Sequence, residues 1–303
     1  MRLVTRSDFD GLACGILLKH TGLVTDYLFA HPKDIQDGRI AVDKNDILAN
    51  VPYAKGCGMW FDHHSSENER LGTVAFIGSS KPSPSCARVI WDFFGGAKKF
   101  SSFFEPMLAA IDQTDSGMLT MQEITHPVGW HLLGLVMDPR TGLGRYRNYR
   151  ISNYQLMEKL IDLGSSCNAE EILADSDVAE RVERYFSHRE AHKAMIARCS
   201  EVHGNVLYTD LRNEKEIFTG NRFAVFSMFP GCNVSVLVIW GKQKQNVVIT
   251  VGHSILNRTS TANIGSLMLL YGGGGHTRVG TCQVPEEDAR RVIREVVDFL
   301  IKA

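Results

Sequence analysis

Residues 3–20, LVTRSDFDGLACGILLKH, decide the fold. A short Leu3-Val4-Thr5 run gives way to the polar turn Arg6 to Gly11, and an apolar stretch then runs to Lys19 and His20. That order reads as a buried strand, a turn and a helix, the alternation that builds a parallel α/β sheet. The runs TDYLFAHP (25–32), DILANVP (46–52) and GCGMWFDHH (56–64) repeat the plan, each a short apolar segment ending in polar residues or a turn. PSPSCARVIWDFFGG (82–96) opens with Pro/Ser capping chemistry and stops at a glycine pair, which predicts a helix on that sheet. A further helix is predicted from Phe103 to Ile111, ending at the acidic residues Asp112 and Asp115.

Beyond residue 150 the pattern changes. MEKLIDLG (157–164) and the charged stretch 169–200 carry apolar residues three and four apart and predict a helical connector. The segments 203–212, 220–230, 233–241 and 246–254 read as β runs separated by Pro, Gly and Asn. PEEDARRVIREVVDFLIKA (285–303), with Pro and three acidic residues in its first turn, predicts a last helix. The expected architecture is α/β: an N-terminal parallel-sheet domain over 1–150, a helical linker over 151–202, and a smaller C-terminal α/β domain with a mixed sheet over 203–303.

Composition narrows the function. The chain has 303 residues, 44% hydrophobic and 22% charged, which suits about two globular domains and excludes disordered or fibrous classes. Its 33 Lys+Arg against 34 Asp+Glu leave no global basic field, which disfavours long nucleic acid and anionic membranes as partners. Seven scattered Cys without a CxxC pair read as reduced thiols, and neither a signal peptide nor an 18-residue apolar span is legible, so a cytoplasmic protein is the expectation.

Three motifs carry chemistry. Asp8 and Asp10, two residues apart where a strand turns into a helix, can hold a hard cation through oxygen, with Gly11 permitting close backbone approach. Asp62-His63-His64 places carboxylate and imidazole at a strand end, a donor set for Mn, Fe or Zn. Gly272 to Gly275, followed by His276 and Arg278, offers backbone N–H groups and charge-assisted donors to a phosphate. His126, His131, His188, His192 and His203 have no ligand spacing; His253 is ambiguous, and Arg222 and Arg140 are weaker candidates.

In their order along the chain these motifs resemble the DHH phosphoesterase superfamily, a DHH domain plus a DHH-associated C-terminal domain, and within it the exopolyphosphatase-related and oligoribonuclease-like subgroup. The resemblance implies a divalent-metal site, usually manganese, with one or two ions hydrolysing phosphate esters in the cleft between two domains. It implies Asp8, Asp10, Asp62, His63 and Asp112 as metal ligands, with Asp115 the alternative to Asp112, and Asp62, His63 and His64 as the catalytic group. It places substrate contacts at Arg258, Asn263, Gly273, Gly274, Gly275, His276 and Arg278. Two positions depart from the pattern. Arg6 and Val4 stand where many relatives carry a His, and Asn50 stands where an acidic ligand is expected, with Asp43 and Asp46 too early in the strand; Asn50 is therefore the sixth candidate metal ligand, through an amide oxygen that coordinates more weakly than a carboxylate.

The expected partner is a small phosphorylated substrate or a short single-stranded oligonucleotide, not a long duplex or a membrane; a homodimer is compatible with this reading. The alternatives are polyphosphate hydrolysis, or nucleotide binding with catalysis impaired by the two altered positions.

Overall fold

The computed structural model describes residues 1–64, 71 and 74–303. These form two compact units: Met1–Leu119 with Pro127–Tyr185, and Thr120–His126 with Phe186–Ala303.

In the first unit, strands β1 (Arg2–Thr5), β2 (Asp26–Phe29), β3 (Asp46–Ala49), β4 (Met59–Asp62) and β5 (Gly78–Ser80) form one sheet in the order β2-β1-β3-β4-β5. Every pairing is parallel, as the alternating sequence predicts. The chain leaves β1 for β2 on one side and returns to β3 on the other. The carboxyl ends of β1 and β3 therefore flank the switch point where such sheets collect ligands. Helix Phe9–His20 has Leu12, Ala13, Ile16, Leu17 and Leu18 at 0% exposure, which explains why it shows no polar face. It packs against helices Cys86–Phe93, Glu105–Asp115 and Asn153–Leu163. Gly11 is required at its start, because a Cβ there would lie 2.1 Å from the Arg6 carbonyl oxygen.

The second unit holds strands β6 (Ser200–His203), β7 (Val206–Asp210), β8 (Val234–Trp240), β9 (Val247–His253), β10 (Gly274–His276) and β11 (Val279–Val284). They form a mixed sheet in the order β10-β11-β9-β8-β7-β6, with only β7 and β8 parallel. Its alternating Val234, Val236, Val238 and Val247, Ile249, Val251 bury one face beneath helix Glu286–Lys302, through Val292, Val296 and Leu300.

Two expectations need revision. FAVFSMF, within the run 220–230 read as β, contains the helix Ala224–Met228; the Asn221 side chain accepts from the Phe223 N–H at 3.0 Å and turns the backbone there. The stretch 151–202 does not form a separate connector. Leu156, Met157, Leu160 and Ile161 lie in the core of the first unit, while helix Arg189–Cys199 belongs to the second. Residues 120–126 also join the second unit, where Asn221 donates to the Ile124 carbonyl at 3.1 Å and Arg189 to the Thr125 carbonyl at 2.9 Å.

Leu160→Ala should accordingly destabilise the first unit by about 2–5 kcal/mol, the usual cost of a buried Leu truncation. Urea unfolding followed by hydrogen exchange should show faster exchange in residues 9–20 with little change in residues 247–253.

Candidate metal centre

The carboxyl ends of β1, β3 and β4 deliver Asp8 and Asp10, Asn50, and Asp62 to His64. Asp8 and Asp10 flank the first turn of one helix but take different tasks. Asp8 is the N-cap, its Oδ1 accepting from the Gly11 N–H at 2.9 Å. Asp10 is 4% exposed, and its two oxygens accept from the backbone N–H groups of Cys86 and Ala87, both at 2.9 Å. Those donors open helix Cys86–Phe93, so an anion sits at a helix N-terminus. Burial, then the charge of Asp115, pushes Asp10 up to about 7; His63 and the Ala87 N–H act in the opposite direction, and Asp8 adds to the rise.

His63 Nδ1 lies 3.1 Å from the Ser83 carbonyl oxygen. A carbonyl only accepts, so the ring proton belongs on Nδ1 and the Nε2 lone pair is presented to the site. Nε2 stands 3.7 Å from Asp10 Oδ2 and 3.2 Å from Asp115 Oδ2. One ligand atom from each of Asp10, His63 and Asp115 falls within 4.8 Å of the others. Three acceptors facing one another are tolerated only with a proton or a cation between them. Buried His63 Nε2 and Asp62 Oδ2 both lack a hydrogen-bond partner, as the donor atoms of a metal site do in the absence of its ion. Imidazole nitrogen with carboxylate oxygen suits a first-row divalent ion, so these residues fit the implied group.

Asp62 Oδ1 lies 2.7 Å from His64 Nδ1. Burial alone depresses the His64 imidazole, but the Asp62 hydrogen bond and the charges of Asp62, Asp115 and Asp10 outweigh it and raise its pKa. The His64 ring therefore holds its proton more firmly than a free imidazole.

The two departures from the sequence pattern act together on Asp8. Arg6 Nε lies 3.0 Å from Asp8 Oδ2, and the Asn50 amide donates to Asp8 Oδ1 at 3.2 Å. Asn50 reaches it from a left-handed backbone conformation, φ 57°. As oriented here, Asn50 turns donor hydrogens, not a ligand oxygen, toward Asp8, and Asp8, Asp62 and Asn50 lie outside the close group of three.

Asp112 needs correction as well. Its carboxylate accepts from Arg88 Nε at 2.8 Å and from the Ser85 hydroxyl at 2.7 Å, while Asp115, one turn on in the same helix, reaches His63. Asp112 instead steadies Ser85, the N-cap of the helix that holds Asp10.

In the second unit, the glycine run supplies the edge strand β10, with Gly274, Gly275 and His276 opposite Thr281, Gly280 and Val279. Gly273 packs where a Cβ would come 2.3 Å from the Thr281 carbonyl oxygen, so this glycine permits close packing as well as any anion contact. His276 and Arg278 are exposed. Asn263 caps helix Ile264–Leu269, accepting from the Ser266 N–H at 3.1 Å, and Arg258 is exposed with its Nε on the Ile255 carbonyl at 3.0 Å. His253 Nε2 pairs with Ser260 at 3.3 Å, and Arg222 stacks on Phe223 at 4.1 Å. Arg140 pairs with Asp138 at 2.7 Å, within electrostatic reach of Asp8 and Asp115.

The parallel sheet with an Asp-His-His run at the end of β4 and carboxylates after β1 is the architecture of the DHH phosphoesterase superfamily, to which this chain belongs; it is a hydrolase of phosphate esters. Over nearly its whole length it is similar to the pGpG-specific phosphodiesterase PggH from Vibrio cholerae. The two are 46% identical, the alignment covers 99% of this chain and 98% of that one, and the TM-score is 0.84. The fold is also that of the DHH domain of a protein described as a member of a ribosomal-protein family, at 11% identity, TM-score 0.64, with 99% of this chain and 86% of that one covered. Thermus thermophilus RecJ in complex with Mn2+ shares it at 14% identity, TM-score 0.52, over 100% of this chain and 52% of that one. No family model and no curated protein sequence matches the chain. Among the described residues, no helix is long and apolar enough to cross a membrane.

Two outcomes follow. Asp115→Asn should lower Mn2+ affinity, measured by titration calorimetry, by at least tenfold; Asp112→Asn should bind Mn2+ nearly as wild type yet lose about 1 kcal/mol of stability through the weakened cap. Asp10 is also linked to pH. In the metal-free protein its folded value, about 7, lies above its unfolded value, so the protonated form favours folding. That contribution is complete below about pH 4 and is lost as the pH rises through about 7. Compared with Asp10→Asn, the metal-free wild type should lose thermal stability between pH 5 and pH 8, and Mn2+ should stabilise it more at pH 8 than at pH 6.

Proposed function

We propose that this protein is a manganese-dependent phosphodiesterase that cleaves the 5′-phosphorylated dinucleotide pGpG to two GMP. The observation that carries the reading is the 46% identity to the pGpG-specific enzyme over 99% of the chain. The donor set described above supports the metal. A small substrate agrees with the balanced charge, 33 Lys+Arg against 34 Asp+Glu, since long nucleic acid requires a basic track.

Asp10, His63 and Asp115 would hold one ion, with Asp62 contributing its unpartnered oxygen. The ion supplies the Lewis acidity for attack of water on phosphorus. Arg6 and Asn50 occupy both oxygens of Asp8, which supports one firmly held ion over two. Ser83 fixes the His63 tautomer, so the ring offers its lone pair without rotating. His64, with its Nδ1–H on Asp62, would give a proton from Nε2 to the departing 3′-oxygen as the P–O bond breaks, while the attacking water's proton leaves to solvent. Arg6 beside Asp8 attracts the substrate's negative charge. In the second unit the exposed donors of Arg258, His276 and Arg278, with the Gly273 to Gly275 strand and Asn263, are assigned to gripping a substrate phosphate.

With Mn2+, the wild type should release GMP from pGpG, and Asp62→Ala should lose at least a hundredfold in kcat. Polyphosphate run in parallel should yield no phosphate. Release of phosphate from polyphosphate with pGpG left intact would replace this reading.

A further inference from the structure

A cavity of about 570 Å³ opens beside the metal centre, built entirely from residues of the first unit. Ser7, between Arg6 and Asp8, forms part of its wall, and the lining Asp138 holds Arg140, whose guanidinium is within electrostatic reach of Asp8 and Asp115. Val136, Met137, Leu143 and Leu156 contribute an apolar lining, and Arg145 and Arg147 line it as well. Tyr154, 57% exposed, adds an aromatic ring. The one carboxylate in the wall, Asp138, is engaged by Arg140 at 2.7 Å, whereas Arg147 pairs with no carboxylate among the described residues. The cavity is thus cationic over an apolar lining.

The segment bearing the two arginines is anchored from behind. Arg181, 1% exposed, donates to the Ile151 carbonyl at 2.8 Å and stacks on Tyr149 at 4.0 Å. Arg184 stacks on Tyr146 at 4.2 Å and donates to Asn148 at 2.9 Å. Tyr146 thus faces the helix Ser176–Ser187, while its neighbours Arg145, which ends the 3-10 turn Leu143–Arg145, and Arg147 line the cavity. A wall held by two stacked guanidinium groups is organised before any ligand arrives, which lowers the entropy cost of binding.

An apolar slot with an aromatic ring and two guanidinium groups is chemistry for a base joined to a phosphate. Resting on the phosphodiesterase reading above, we propose that this cavity takes one nucleotide of the dinucleotide, its base over Leu143 and Leu156 against Tyr154 and its phosphate on Arg145 and Arg147. The cavity then sets substrate length and specificity, while the chemistry stays with the metal centre.

The test compares Arg147→Glu with Arg150→Glu, an equal charge change on the same segment at an exposed residue that lies outside the cavity and pairs with Asp177. For pGpG with Mn2+, Arg147→Glu should raise KM at least tenfold with kcat within about twofold, Arg147→Lys should recover most of the loss, and Arg150→Glu should match wild type. An unchanged KM in Arg147→Glu, or an equal rise in Arg150→Glu, overturns the proposal. If the wild type leaves pGpG intact, the substrate reading fails, and the cavity is judged on GMP binding by calorimetry. GMP binding lost in Arg147→Glu then supports it; binding retained in that variant, or absent from the wild type, overturns it.

Discussion

The hydrogen bonds from the Cys86 and Ala87 N–H groups to Asp10 organise everything around them. An ionised carboxylate buried beneath a sheet carries a desolvation cost of several kcal/mol unless donors replace the lost water. Here the donors are the first free N–H groups of a helix, which cannot move without moving the helix. That helix is capped by Ser85, Ser85 is steadied by Asp112, and Asp112 is held by Arg88 from the helix itself. The position of one carboxylate oxygen is therefore set by a closed loop of polar contacts.

This division of labour explains why two carboxylates separated by a single residue are not interchangeable. Asp8 faces outward to cap its own helix and is satisfied by a backbone N–H, an amide and a guanidinium. Asp10 points inward, where its surroundings leave it short of positive charge. One carboxylate is neutralised by protein groups, and the other by whatever cation enters.

Much of this was legible in the residues. The alternation of 3–20, the Asp-His-His run and the late valine-rich strands gave the sheet types and placed the chemistry at the strand ends. What escaped depended on contacts between distant segments. Asp112 and Asp115 lie one turn apart on one helix, and the apolar run stops at Ile111, so proximity favoured Asp112; only Arg88, from another helix, decides that this carboxylate is taken. The one local hint was Ser85 three residues ahead of that arginine, a cap that needs steadying. FAVFSMF is apolar enough for a strand, and its helix follows from an Asn221 turn tied to Ile124, 97 residues upstream. The helices after residue 150 have the charged faces of a linker, yet Leu156 to Ile161 complete the core around residues 9–20.

The exchange of residues 120–126 between the units carries a consequence of another kind. The backbone passes from one unit to the other after Leu119, after His126 and after Tyr185, so neither unit is a single stretch of chain. A cut at any one point leaves at least one unit without part of itself: the stretch 1–185 carries the first unit whole together with residues 120–126, whereas the stretch 186–303 lacks that piece of the second. The second unit is thereby tied to the first: residues 186–303 moved alone would leave 120–126 behind, and with them the Asn221–Ile124 and Arg189–Thr125 contacts.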